Sequence, residues 1–380
     1  MRSQQFLACD WLPPSLVVRA LAAAVALASN APAQRTPLPL PPTPSRGVSI
    51  VQTLNTPEGD RESVHSVVEA DARRLRWSWA LVEVSANGDT AREEYRYAEL
   101  RDDIDSAIRF RAFHEREEPE EHPGYTMHAI SRAVYRRLRA TGSDTFQVMA
   151  VESPSGGLSS FAVARRATPV RWRGTLSLVT PSPVPFPLLV NGRRVEVPAL
   201  HVRGRFTLRT KTWEPQLWVL ADSTYPLLLK WIGAHTQERN VLQTIRVDGS
   251  ESLSGVEREL ASSCRAELPG IYFAFNSAVL DAASDRTIGD VADLLVRHPE
   301  WTVTLEGHTD SIGSDAPNRA LSEQRVAAVR SRLLQRHHKV DEGRVRAVGF
   351  GSARPREPNA TIEGRARNRR VELVRDCGGR

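Results

Sequence analysis

"EGHTDSIGSDAPNRALSEQR" runs from Glu306 to Arg325. It gathers Asp310, Asp315, Arg319, Glu323 and Arg325 into one stretch, with Gly307 and Gly313 between them. Just upstream, "TVTLEGHTD" alternates apolar and polar residues, the period of a strand that ends at Asp310. Just downstream, "APNRALSEQRVAAVRSRLLQRHH" carries Leu321, Ala327, Ala328, Leu333 and Leu334 on a mostly apolar helical side. The stretch is therefore a strand–loop–helix junction. Its charges suit either a solvated turn or a pocket for a ligand carrying both signs of charge.

The same alternation of strands and helices extends outward from about Gly270. "GIYFAF" reads as a strand, and the following segment has Ile288, Val291, Leu294 and Leu295 at helical spacing, with Pro299 as the stop. "VRAVGFGSARP" and "NRRVELV" read as further strands. The pattern from Val48 to about Asp248 is different. It consists of many short two-period runs separated by Gly, Pro and Asn-Gly turns, at Asn87-Gly88 and Asn191-Gly192. One helix interrupts it, "SRAVYRRLRATG", with Ser131 as N-cap and Gly142 as stop. This predicts an antiparallel sheet, sandwich or half-barrel.

The C-terminal stretch closely resembles the OmpA-like C-terminal domain. The resemblance is carried by "FAFNSAVL" (273–280), "LEGHTDSIGS" (305–314), "NRALSEQRVAAV" (318–329), "VGFGSARP" (348–355) and "NATIEGRARNRRVEL" (359–373), in order and at matching spacing. It covers about Gly270 to Asp376. The resemblance implies an OmpA-like domain over 264–377 with a βαβαββ mixed sheet and helices on one face; with the mostly antiparallel β domain read above, over 48–250, the expected fold class is α+β. The resemblance also implies non-covalent binding of peptidoglycan through the diaminopimelate of the stem peptide. By the family pattern, Asp310 and Arg325 grip the ligand. Thr309 and Asn318 lie beside them in the motifs, and Asn276 and Arg369 are further pocket residues. Ala274 departs from the pattern, because many relatives have an acidic residue there.

The chemistry is consistent with that assignment. The free end of diaminopimelate holds an ammonium and a carboxylate side by side. A carboxylate at a strand end accepts from the first, and a planar guanidinium takes the second in two parallel bonds. Arg325 is expected near the start of its helix, where unpaired backbone N–H groups would add to the attraction. The simpler alternative is that Asp310 and Arg325 pair only with each other. Asp315, Arg319 and Glu323 read as capping and solvent-facing groups.

The whole chain has 380 residues and a net charge of +6, with the arginines spread along it. It shows no nucleic-acid signature, so nucleic acid is not an expected partner. "LVVRALAAAVALASNAPAQ" (16–34) has the three parts of an export signal: Arg19, an apolar run, and Ala31-Pro32-Ala33 for cleavage. Residues 1–33 are expected to be removed, and 34–47 to be a Pro-rich linker. Pro13-Pro14 interrupts the region before the signal, which suggests a true start near Val17 or Val18. Export leaves Cys264 and Cys377, which flank the last domain. The strand arrangement that the resemblance implies would bring them together as a disulfide. No metal, cofactor or catalytic motif is found, and the acidic run at Glu115–Gly124 reads as a solvated loop.

The function expected is a periplasmic or outer-membrane envelope protein that tethers its β-rich domain to the wall, with peptidoglycan as partner alongside other envelope proteins. The rival readings make the N-terminal domain an envelope enzyme, or a hydrophobic-ligand carrier lined by Trp77, Trp79, Trp172, Trp213, Trp218 and Trp231, although core packing explains these tryptophans as well.

Overall fold

The computed structural model describes residues 40–56, 59–84, 90–112, 121–151, 169–233, 241–249, 254–336 and 339–378. The expected signal peptide, the Asn87-Gly88 turn, most of the acidic run and "LSSFAVARR" lie outside them.

Thirteen strands from the first two-thirds of the chain form one sheet. They are β1 (Ser49–Thr56), β2 (Gly59–Ala70), β3 (Arg74–Val84), β4 (Thr90–Leu100), β5 (Arg109–Arg111), β6 (Ser143–Val151) and β7 (Pro169–Leu178), then β8 (Val184–Val190), β9 (Arg193–Leu208), β10 (Lys211–Trp213), β11 (Gln216–Leu220), β12 (Leu228–Ile232) and β13 (Val241–Asp248). The order is β4-β3-β2-β1-β13-β12-β11-β9-β7-β6-β5, with β8 and β10 attached to β9. Pairing is antiparallel except at β5·β6 and β8·β13. The β8–β9 hairpin turns at Asn191 (φ 49°) and Gly192 (φ 74°), the two left-handed positions that an Asn-Gly turn supplies. Helix α1 (Arg101–Ser106) precedes β5, and α2 (Arg132–Thr141) precedes β6. The Ser131 hydroxyl caps α2 by accepting from Val134 N, and Gly142 ends it at φ 80°.

Five of the six tryptophans named above pack in the cores of this sheet at 7% exposure or less. Trp218 is partly buried and stacks on His201. The tryptophans are therefore packing residues here.

The C-terminal sheet contains β14 (Arg265–Glu267), β15 (Val303–His308), β16 (Val345–Gly351) and β17 (Val371–Arg375), in the order β14-β17-β15-β16. Helices α3 (Ser254–Ser263), α4 (Ser284–Arg297), α5 (Asp315–Arg336) and α6 (Ile362–Asn368) complete it. The first strand is not "GIYFAF". That segment turns at Gly270 (φ 79°) and makes one isolated bridge, Phe273 to Leu280. Its apolar residues serve two cores at once. Ile271 packs in the C-terminal core, and Tyr272 packs with Val51, Val64, Leu189, Ile245 and Ala366. α6 lies between the last two strands, so the sequence of elements is not the simple βαβαββ expected. The Thr361 hydroxyl caps it by accepting from Gly364 N.

The two sheets belong to one compact unit, Leu38–Arg380. The shared cluster around Tyr272 joins them, as does the bond from Tyr272 Oη to the buried Asp248 carboxylate. Arg367 also donates to Gly192 O, and Gln243 to Glu363 at 2.6 Å. Cys264 and Cys377 form a disulfide, with Cα atoms 6.2 Å apart.

Candidate functional site

α5 reaches the strand ends across a floor of glycine. Gly307 and Gly349 are register partners on the parallel strands β15 and β16. A Cβ at Gly307 would sit 2.7 Å from Ser322 O, and one at Gly349 would sit 2.4 Å from Glu323 N. Only glycine lets the helix approach this closely. The approach places Asn318, Ser322 and Arg325 over the ends of the sheet. Ser322 Oγ accepts from Gly351 N at 2.8 Å, and Asn318 Nδ2 donates to Ile312 O at 3.0 Å, which fixes the loop after β15.

Asp310 lies beyond the end of β15, buried at 8% exposure. It accepts from Ile312 N at 2.9 Å and from Arg369 Nη1 at 2.6 Å. It is not bonded to Arg325. Arg325 donates from Nε to Ser277 O at 2.9 Å, and its guanidinium lies 5.0 Å from the Phe273 ring centroid. Among the described residues it makes no ion pair within 4.0 Å. Burial lowers its pKa to about 10, with Glu62 opposing the shift and Arg369 adding to it. The helix start does not assist it. Arg325 lies ten residues inside α5, about 15 Å from the N-terminal turn.

The remaining expected site residues divide. Arg369 is central, bonded to Asp310 and to two carboxylates of β2, Asp60 at 3.2 Å and Glu62 at 2.9 Å. Burial opposes its charge, but these three acids hold its pKa above the usual arginine value. Thr309 is buried, with its backbone N donating to Gly351 O at 2.9 Å. Asn276 is exposed in a left-handed turn (φ 47°), a conformation that asparagine tolerates. Asp315 accepts from Ser352 Oγ at 3.0 Å, and Arg319 pairs with Glu323 at 3.2 Å on the exposed side of α5.

Arg325 and Arg369 line a cavity of about 50 Å³ with Phe273, His308, Glu62 and Arg246. Glu62 and Arg246 come from the large sheet, and motif reading did not reach them. No local signal marks them, since Glu62 lies 307 residues before Arg369.

Beside the cavity, Glu306 and Glu372 face each other across β15 and β17, a repulsive pairing unless neutralised. Arg265 bonds both acids, at 2.7 Å to Glu306. Glu372 also accepts from Arg370 at 2.6 Å and from Arg356 at 3.0 Å. Burial pushes Glu372 up, yet these guanidinium contacts outweigh it and hold its pKa at about 2. His308 completes a group of three that could geometrically hold a metal ion. The guanidiniums already satisfy both carboxylates, so an ion would have to displace them.

A second polar group sits within the large sheet. Glu99 accepts from Trp77 Nε1, Tyr225 Oη and the backbone of Met127 and His128, and Tyr97 Oη contacts both His65 and His128. Every one of those side chains is buried. The cluster ties β3, β4 and β2 to the segment before α2 and to the segment before β12.

Residues 272–369 match the model of the OmpA family. Outer membrane porin F of Pseudomonas aeruginosa is 47% identical over 102 residues, 27% of this chain and 29% of that protein. The peptidoglycan-binding protein ArfA of Mycobacterium tuberculosis is 41% identical over 122 residues, 32% of this chain and 37% of that protein. The peptidoglycan-associated lipoprotein of Brucella melitensis is 33% identical over 110 residues, 29% of this chain and 64% of that protein. The chain thus spans less than two-thirds of the length of each of these relatives. The match falls on the strand–loop–helix junction and the strand, helix and turn that surround it, and it shows that this chain carries an OmpA family domain over residues 272–369.

Proposed function

We propose that the protein binds peptidoglycan non-covalently in the cell envelope, through the diaminopimelate of the stem peptide, and so holds its β-rich part at the wall. The observation that carries this reading is Arg325, a partly buried guanidinium with no carboxylate partner among the described residues, lining a cavity together with Arg369, which is bonded to Asp310. An unpaired charge that is largely out of water is costly. A ligand carboxylate on Arg325 would meet that need, and Asp310, next to it, would accept from the ligand ammonium. Two of the relatives are named for peptidoglycan, which supports the same reading. The role is binding without catalysis, and the setting is the periplasmic side of a Gram-negative type envelope.

Co-sedimentation with purified diaminopimelate-type peptidoglycan tests it. The wild type is expected to pellet with the wall, and Arg325→Ala and Asp310→Ala to bind at least tenfold more weakly. If both variants pellet like wild type, the pocket is wrongly assigned.

A further inference from the structure

The β1–β2 hairpin extends past its neighbour. β2 is paired with β1 along Gly59–Ser66, whereas its register with β3 begins only at Ser66 opposite Ser78. Asp60, Arg61 and Glu62 lie before that register begins, and their side chains lie on the OmpA family domain. Asp60 takes a forked pair of bonds from Arg365, at 2.7 and 2.9 Å, and a third from Arg369 at 3.2 Å. Arg61 lies over the Phe275 ring, 5.1 Å from its centroid. Glu62 accepts from both Nε and Nη2 of Arg369. Three successive residues thus clasp the rim of the cavity that holds Arg325.

We infer that Asp60 and Glu62 hold the wall-binding pocket closed by gripping Arg369, the residue that also holds Asp310, so that peptidoglycan must displace β2 to bind. The inference rests on the pocket reading above. Two features support it. Arg369, the partner of both acids, also holds Asp310, the group meant for the ligand ammonium. The space of about 50 Å³ has room for a few waters, not for a branched amino-acid end carrying its peptide. Binding of this kind carries a conformational cost, because apparent affinity falls by the fraction of molecules that are open.

The test uses the full chain and a soluble diaminopimelate-containing muropeptide, with a lysine-containing muropeptide as the control lacking the second carboxylate. Asp60→Asn/Glu62→Gln keeps the shapes and removes the charges that grip Arg369. It is expected to bind the diaminopimelate probe at least tenfold more tightly than wild type, and the gain should vanish when Arg325→Ala is added. Arg365→Gln, which removes the forked partner of Asp60 without touching Asp310, Arg325 or Arg369, should shift affinity the same way. Carbodiimide labelling supplies a structural readout: Asp60, buried in the free protein, should become reactive on saturation with sacculi. Equal affinity of wild type and both variants, or an Asp60 that stays protected in the saturated complex, overturns the inference and leaves the wall-binding reading standing. If neither wild type nor variants bind either probe, the wall-binding reading falls, and the inference falls with it.

Discussion

At the scale of single residues, His308 shows how the site's charges tune its surroundings. Its ring is buried at 3% exposure, stacks on Phe350, and leaves both nitrogens without a hydrogen-bond partner. Burial lowers its pKa to about 4, and Arg370 adds to the shift. The unfolded chain takes up this proton near pH 6.5, while the folded chain refuses it until about pH 4. Stability from neutral His308 is therefore fully present above pH 6.5 and is lost as pH falls toward 4. Integrated from pH 7 to 5, the loss is about 2 kcal/mol. Glu372 works at lower pH, its contribution present above about 4.5 and lost as pH falls toward 2. Urea unfolding at pH 7 and pH 5 checks the first of these. His308→Leu should lose about 2 kcal/mol less than wild type over that interval, and an equal loss would reassign the pH sensitivity to other groups. The "HTD" motif made His308 visible in the sequence. Its lowered pKa was not, because that arises from Arg370 and the burial created by folding.

At the scale of elements, the glycine pair under α5 was half legible. "EGH" and "VGFG" mark glycines near strand ends, and nothing beside them says what they are for. Gly313, at φ 88°, serves a turn. Gly307 and Gly349 instead provide clearance for a helix, which no local pattern announces. Gly349→Ala would place a methyl 2.4 Å from the backbone N of Glu323 and 2.5 Å from Ser322 Oγ. The backbone contact cannot swing aside, so α5 must lift from β16. Overpacking of this kind costs roughly 1–3 kcal/mol. Because Ser322 and Arg325 ride on the same helix, Gly349→Ala is expected to lower the thermal midpoint and weaken muropeptide binding together. Weaker binding at an unchanged midpoint would contradict the clearance argument. Of the other elements, one was misread and one was missed, each for a physical reason. The apolar alternation of "GIYFAF" is spent on bridging two cores, not on a strand ladder. α6 is only seven residues long, and its one local sign is the cap, Thr361, three residues before Gly364.

At the scale of the whole molecule, the ends of the OmpA family domain are fastened by a bond whose partners lie 113 residues apart. The flanking positions of Cys264 and Cys377 made that pairing readable once the strand arrangement was inferred. The contact of β2 with Arg369 was not readable, since nothing in "GDRES" distinguishes it from any charged hairpin. The disulfide bears on the site through Arg265, the residue after Cys264. β14 is only three residues long, yet Arg265 must stay over β15 and β17 to neutralise Glu306 and Glu372. Closing a loop of this length restricts the unfolded chain by about 4–5 kcal/mol on the loop-entropy model. Cys264→Ser/Cys377→Ser is therefore expected to lose stability of that order in urea unfolding, and reduction of the native protein should give the same shift. Arg265→Ala in the intact disulfide background separates the two contributions. It should destabilise less than the double serine variant while raising the pKa of Glu372, read by NMR titration of its carboxyl carbon. If the double serine variant unfolds at the wild-type urea midpoint, β17 and the Arg265 network hold β14 in place without the bond.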